Sequence, residues 1–214
     1  MKTITLTNII PEIFASRCDI RSDVWHTEIS LERGKSYLIE AASGTGKSSL
    51  CSYLYGQRGD YQGNILFDGA DVAKFSTEDW CRVRKESVSI LFQDLRLFGE
   101  LTALENIEIK NRLTNHRTAS EIDRWFDELG IADKRHERID RLSYGQQQRV
   151  ALIRALCQPF DFLLLDEPIS HLDEKNSDIM RDLILQETAK TGAAIIATSI
   201  GKSMSINYDK RLKL

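Results

Sequence analysis

Apolar and polar residues alternate in two stretches near the start of the chain, Thr3–Ile9 (TITLTNI) and Val24–Leu31 (VWHTEISL), and both are expected to be strands. Lys35–Ala41 (KSYLIEA) runs as a strand into a glycine-rich turn and then an apolar helix, Ser48–Gly56 (SSLCSYLYG). Gly63–Gly69 (GNILFDG) and Ser87–Asp94 (SVSILFQD) are further strand candidates, so the first part of the chain reads mainly as strands. Between about Leu101 and Cys157 the spacing becomes helical: Thr118–Gly130 sets Ile122, Trp125, Phe126 and Leu129 on one stripe, with Gly130 as a stop. That stripe faces either the core or a partner. Strand patterns return at Phe160–Pro168 (FDFLLLDEP) and Ala193–Ser199 (AAIIATS), separated by the helical Asp173–Gly192. Strands alternating with helices imply a parallel sheet, with the central helical block inserted into it.

The net charge of −3 gives no reason to expect a nucleic-acid-binding surface. Cys18, Cys51, Cys81 and Cys157 are widely spaced without a CxxC pair, which argues against a zinc site or a disulfide scaffold and fits a reducing cytosol. No apolar run approaches the roughly 20 residues of a membrane span. The opening MKTITLTNII lacks a signal peptide's apolar centre, so a cytosolic chain is expected unless a partner holds it at a membrane.

The turn after the third strand, AASGTGKSS, fits the phosphate-loop pattern G-x-x-x-x-G-K-[ST] at Gly46, Lys47 and Ser48, with Gly44 inside it and Ala41 in place of the first glycine. Such a loop wraps backbone N–H groups of Ser43, Gly44, Thr45, Gly46, Lys47, Ser48 and Ser49 around phosphate oxygens, and the helix start favours negative charge. Lys47 would reach the β- and γ-phosphates and Ser48 would ligate Mg²⁺. This motif alone gives nucleotide binding without choosing among kinases, GTPases and motor ATPases. In FLLLDEP an apolar run ends in two acids, which places Asp166 and Glu167 at the C-terminal edge of a buried strand. Asp166 would hold Mg²⁺, and Glu167 is placed to polarise an attacking water.

Arg141–Leu156 (RLSYGQQQRVALIRAL) resembles the LSGGQ signature of ABC-type ATPases, with Tyr144 where glycine is usual. Ser143 and Gln146 form an S-x-x-Q pattern that caps a helix. The resemblance covers essentially the whole chain. It implies a phosphate-loop NTPase core of α/β class with a mainly parallel sheet, an N-terminal antiparallel β portion and an inserted α-helical subdomain. Residues 1–214 would form a single ATP-binding domain, the core about 1–93 and 160–214 and the helical subdomain about 94–159. It further implies that Gln93 is the Q-loop glutamine, reaching Mg²⁺ and the attacking water. Ser143, Tyr144, Gly145 and Gln146 would meet the γ-phosphate of ATP held by a second subunit, and Ser170–Asp173 would be the D-loop, with an unusual His171.

Two such chains, identical or homologous, would close head to tail around two ATP molecules and drive an integral membrane partner of the permease type, without nucleic acid. The chain would sit in the cytoplasm, on the inner face of the membrane. Leu101–Ile107 (LTALENI) resembles the branch that serves lipoprotein release, macrolide export and cell division, and fits an ordinary helix start equally well. Phe14 is the nearest candidate for stacking adenine, though ungapped matching falls on Ile13 and a core role is open. Leu95, Leu97 and Phe98 would either receive the membrane partner or fill the helical core.

One position breaks the pattern. After AAIIAT the family places a histidine that contacts the γ-phosphate, and Ser199 stands there instead. Its hydroxyl is shorter and uncharged. Slow but real hydrolysis is therefore expected, with His171 as a conceivable substitute. The alternative is a catalytically weak, nucleotide-gated dimerisation module that regulates its partner.

Overall fold

Strands with one apolar face and strands with two separate into different sheets. The computed structural model describes residues 1–17, 20–170 and 172–214, so Cys18, Asp19 and His171 lie outside the described residues. β1 (Thr3–Pro11), β2 (Glu28–Glu32), β4 (Tyr61–Phe67) and β5 (Ala70–Asp71) form an antiparallel sheet in the order β2-β1-β4-β5. In β2 only Ile29 and Leu31 are buried, the alternation expected of a sheet covered on one side. β3 (Ser36–Glu40), β6 (Val88–Leu91), β7 (Phe162–Leu165), β8 (Ala194–Ser199) and β9 (Lys210–Lys213) form a parallel sheet in the order β6-β7-β8-β3-β9.

The parallel sheet is covered on both faces, and the period of two divides its side chains between two cores. Phe162, Leu164, Ala194 and Ile196 pack with the antiparallel sheet and α1 (Lys47–Leu54). Leu163, Leu165, Ile195 and Ala197 face the other way, toward α3 (Ala103–Asn111), α4 (Ala119–Glu128), α5 (Tyr144–Leu156) and α6 (Glu174–Thr191). Ile122, Trp125, Phe126 and Leu129 all lie in this second core, so the stripe of α4 is interior. Each such fully buried side chain contributes about 1.5–3 kcal/mol. Gly130 closes α4 at φ +64°.

The structure departs from the sequence pattern in three places. Val24–Leu31 is not one strand: Ser22 Oγ accepts from the Val24 and Trp25 N–H groups, and His26 sits at φ +57°, so a turn fills the first half and β2 starts at Glu28. α2 (Thr77–Glu86) lies in the part read as strands; it buries no residue, and a capping box between Ser76 and Asp79 starts it. β9 buries Leu212 alone, too little for an apolar pattern.

Four strand ends bring the chemistry together. The phosphate loop follows β3, Gln93 follows β6, the two acids follow β7 and Ser199 ends β8, all at the carboxyl edge of the parallel sheet.

Candidate functional site

The phosphate loop is built around Gly46. It precedes α1 at φ +103°, and a Cβ there would lie 3.0 Å from the Trp25 ring and 3.4 Å from the Phe14 ring, so backbone and packing both require glycine. No side chain caps the first turn of α1, which leaves its N–H groups facing the cleft. Ala41, in place of the pattern's first glycine, is absent from the positive-φ residues and donates its N–H to Ser199 O at 3.2 Å, so alanine suits that point. Lys47 is buried; its ammonium donates to Ala42 O at 2.9 Å and Ala41 O at 3.4 Å and lies 3.6 Å from Glu167 Oε1. A phosphate entering the loop would offer the ammonium a stronger acceptor than these carbonyls.

One hydroxyl organises the acidic pair. Thr198 Oγ1 donates to Asp166 Oδ1 at 2.8 Å and accepts the Glu167 N–H at 3.0 Å. Glu167 itself is held at φ +50°, a conformation that costs a non-glycine residue energy and is kept only where neighbours impose it. Gln93 spans the gap between loop and acids: its Oε1 is 3.4 Å from Ser48 Oγ and its Nε2 is 3.5 Å from Glu167 Oε2. Ser48 Oγ, Gln93 Oε1 and Asp166 are hard oxygen donors of the kind Mg²⁺ prefers. Among the described residues there is no group of three or more His, Cys, Asp or Glu that could hold a metal ion.

The S-x-x-Q pattern forms a complete capping box: Ser143 Oγ accepts from Gln146 N and Gln146 Oε1 accepts from Ser143 N. The next two glutamines bind backbone. Gln147 donates to Ile139 O and Leu142 O, and the buried Gln148 donates to Pro168 O, beside Glu167. Tyr144 donates its phenol O–H to Gln93 O at 2.7 Å. Ser143, Tyr144 and Gly145 thus stand at the start of α5, and Tyr144 alone of them reaches Gln93.

The ABC transporter family model matches residues 25–170, a span that holds the phosphate loop, Gln93, the signature segment and the acidic pair. The chain belongs to the ABC transporter family. It is 37% identical, over 87% of its length and 83% of the relative, to the uncharacterized ABC transporter ATP-binding protein YclH of Bacillus subtilis. It is 31% identical to the macrolide export ATP-binding/permease protein MacB of Shewanella sp. (strain ANA-3), over 87% of this chain and 29% of that one. Its fold matches the dimeric bacterial ABC transporter cassette MJ0796 with a TM-score of 0.75 at 24% identity, over 91% of this chain and 87% of that one.

In this ABC transporter chain the phosphate loop opens on a cleft of about 400 Å³ that Phe14, Arg58, Gln93 and Glu167 also line. Phe14 ends a 3₁₀ turn, Glu12–Phe14, and its ring is half-buried beside Gly46 with the Arg17 guanidinium over it at 5.7 Å. Ile13 is 77% exposed at the same cleft. Ser199 is 2% exposed and donates its hydroxyl to Lys202 O at 2.9 Å, and the cleft wall at this point is Ile200. Its proton is used in a turn. Leu95 is interior, Leu97 packs partly against the helical core, and Phe98 is 53% exposed, so the three apolar residues after Gln93 divide between core and surface.

Sequence patterns pass over three residues that shape the site of this family member. Thr198 lies inside an apolar strand, where its hydroxyl carries no signal. Trp25 donates its indole N–H to Thr45 O at 3.2 Å and supports the loop from behind. Arg58 donates to Ser49 Oγ at 2.9 Å while paired with Asp60, bringing a cation to the cleft rim. Cys51 and Cys157 are buried thiols; burial pushes the first well above its ordinary range, with Asp166 and Glu167 adding to it, and the second up to about 12.

Proposed function

We propose that the chain is the ATP-binding and ATP-hydrolysing subunit of an ABC transporter or mechanotransmission complex, pairing with a like subunit around ATP and driving a permease-type membrane protein. The observation that carries this reading is the convergence of Lys47, Ser48, Gln93 and Glu167 within 3.4–3.6 Å contacts at one cleft below an uncapped helix start. Relatives named as ATP-binding proteins, and MacB with a permease in the same chain, support it. Residues 1–93 and 160–214 would act as the nucleotide-binding core, and residues 94–159 as a helical subdomain that carries the signature.

In this reading the N–H groups of Ser43 to Ser49 and the Lys47 ammonium bind the phosphates, with Phe14 beside the base. Ser48, Gln93 and Asp166 would hold Mg²⁺, which when bound neutralises phosphate charge. Glu167 accepts a proton from the attacking water as the bond to the terminal phosphorus breaks, leaving ADP and phosphate. The partner's Ser143, Gly145 and Gln146 would close over the γ-phosphate, so ATP binding becomes closure and hydrolysis becomes release. No helix among the described residues is long and apolar enough to cross a membrane, and we place the chain at the cytoplasmic face through its partner.

The Ser199 hydroxyl, held by Lys202 O, favours slow turnover. Losing one well-placed transition-state donor lowers a rate by about 10²–10³-fold. Phosphate release by the purified protein with its membrane partner, compared with Ser199→His, tests this: slow release that the histidine raises is expected. Fast release that the replacement leaves unchanged would refute it. No release with ATP-driven pairing intact would leave the regulatory module as the better description.

A further inference from the structure

The segment that carries Gln93 is gripped by one helix at three carbonyls. Tyr144, the first residue of α5, donates to Gln93 O at 2.7 Å. Arg154, in the last turn of α5, donates to Leu95 O at 2.5 Å and Arg96 O at 2.6 Å. The two residues that Arg154 grips, Leu95 and Arg96, lie at φ +56° and +49°, two successive side-chain-bearing residues in the left-handed region. Such a conformation persists only where surrounding contacts impose it. The Leu95 side chain is 3% exposed, anchored in the helical core. The Gln93 carbonyl is thus the grip next to the cleft, one residue's backbone away from the amide that meets Ser48 and Glu167.

We infer that Tyr144 is a positioning residue for Gln93: its phenol O–H bond ties the orientation of the Gln93 amide to the position of the α5 N-terminus. The inference rests on the functional reading given above, in which Gln93 serves the nucleotide of its own chain. The consequence is communication between sites. The α5 N-terminus is the segment that would meet the partner subunit's ATP, so a movement there is passed through one hydrogen bond to the chain's own Ser48–Gln93–Glu167 group. A glycine at this position has no side chain to make that link.

Tyr144→Phe removes the hydroxyl and keeps the ring. Hydrogen exchange on the nucleotide-free protein reads the link directly. Amides 93–96 are expected to exchange about threefold to tenfold faster, the loss of one ordinary hydrogen bond, while those of α5 from Gln148 onward stay unchanged. In ATP turnover kcat is expected to fall by a similar factor, about threefold to tenfold, with KM for ATP held within about twofold, and half-saturation by Mg²⁺ shifted upward. Replacing Tyr144 by p-aminophenylalanine, which restores a donor, should return both readouts toward wild type. Unchanged exchange at 93–96 in Tyr144→Phe would overturn the inference, as would equal acceleration throughout α5, which would mean that the phenol only supports the helix. Failure of p-aminophenylalanine to restore exchange would overturn it as well. Absence of turnover in the wild type would count against the functional reading alone, since exchange decides the link by itself.

Discussion

A single threonine hydroxyl sets the geometry of both acids. Thr198 Oγ1 spends its proton on Asp166 and its lone pair on the Glu167 N–H, which holds Glu167 in a left-handed conformation aimed at Lys47. Thr198→Val keeps shape and β-branching and removes both bonds. Hydrogen bonds to charged groups are worth about 1.5–3 kcal/mol, so turnover is expected to fall by about 10–100-fold with nucleotide affinity little changed. Steady-state hydrolysis beside fluorescent-nucleotide binding checks the split. Lys47, Ser48, Asp166 and Glu167 could be found from sequence because each belongs to a spaced motif whose chemistry needs that residue type. Thr198 could not, since a threonine in an apolar strand is also an ordinary β former. Ser199 was visible as an anomaly, but only the structure gives its hydroxyl a partner, Lys202 O.

Helix starts carry much of the local order. α2, α3, α4 and α5 each begin with a reciprocal capping box, at Ser76–Asp79, Thr102–Glu105, Thr118–Glu121 and Ser143–Gln146. The second of these gives LTALENI its helix start. In the third, the Thr118 N–H holds the Glu121 carboxylate down to about 2 from its ordinary 4.5, with the Thr118 hydroxyl and Arg117 assisting against some desolvation. A carboxylate depressed on folding stabilises the fold above its unfolded pKa and loses that contribution as pH falls toward its folded one. The stability advantage of wild type over Glu121→Gln is therefore expected to be full at pH 7 and to shrink between about pH 4.5 and pH 2, read by urea denaturation at several pH values. α4 is tied to α6 through Glu187, whose buried carboxylate meets Arg117 at 3.0 Å without hydrogen-bond alignment, Arg124 at 3.4 Å and Lys190 at 2.6 Å. The stripe of α4 was legible because four large apolar residues recur at helical spacing. α2 was not, because only Trp80 and Val83 pack against the core, both partly buried and too few to make a stripe, and its cap uses aspartate where glutamate or glutamine is usual.

At the scale of the molecule, two-faced burial explains the apolar runs at residues 162–165 of β7 and 194–197 of β8, and those runs are what made the parallel sheet predictable. In the proposed function the signature at the start of α5 serves the partner's nucleotide, so each site is completed by a second copy or a homologue. Glu167→Gln removes the proposed base and leaves the proposed phosphate ligands in place. It is expected to accumulate an ATP-dependent dimer on size-exclusion chromatography with ATP and Mg²⁺, whereas the same variant without nucleotide elutes as a monomer. A variant that stays monomeric at saturating ATP would contradict the pairing.

The position of β3 in the sheet bears on how the protein comes into being. β3 launches the phosphate loop from residue 40, yet its neighbours on either side are β8 and β9, which begin at residues 194 and 210. Ala41 N–H bonds Ser199 O and Leu214 N–H bonds Glu40 O, so these late residues secure the loop's root. During synthesis, the whole stretch from β3 to β8 emerges before the strand carrying the loop has a partner, and pairings this distant in sequence are slow to close. A chain made only as far as β7 would thus have the motif without a rigid loop, so in the proposed function capture of ATP and pairing with a second subunit would be deferred until translation has delivered β8 and β9.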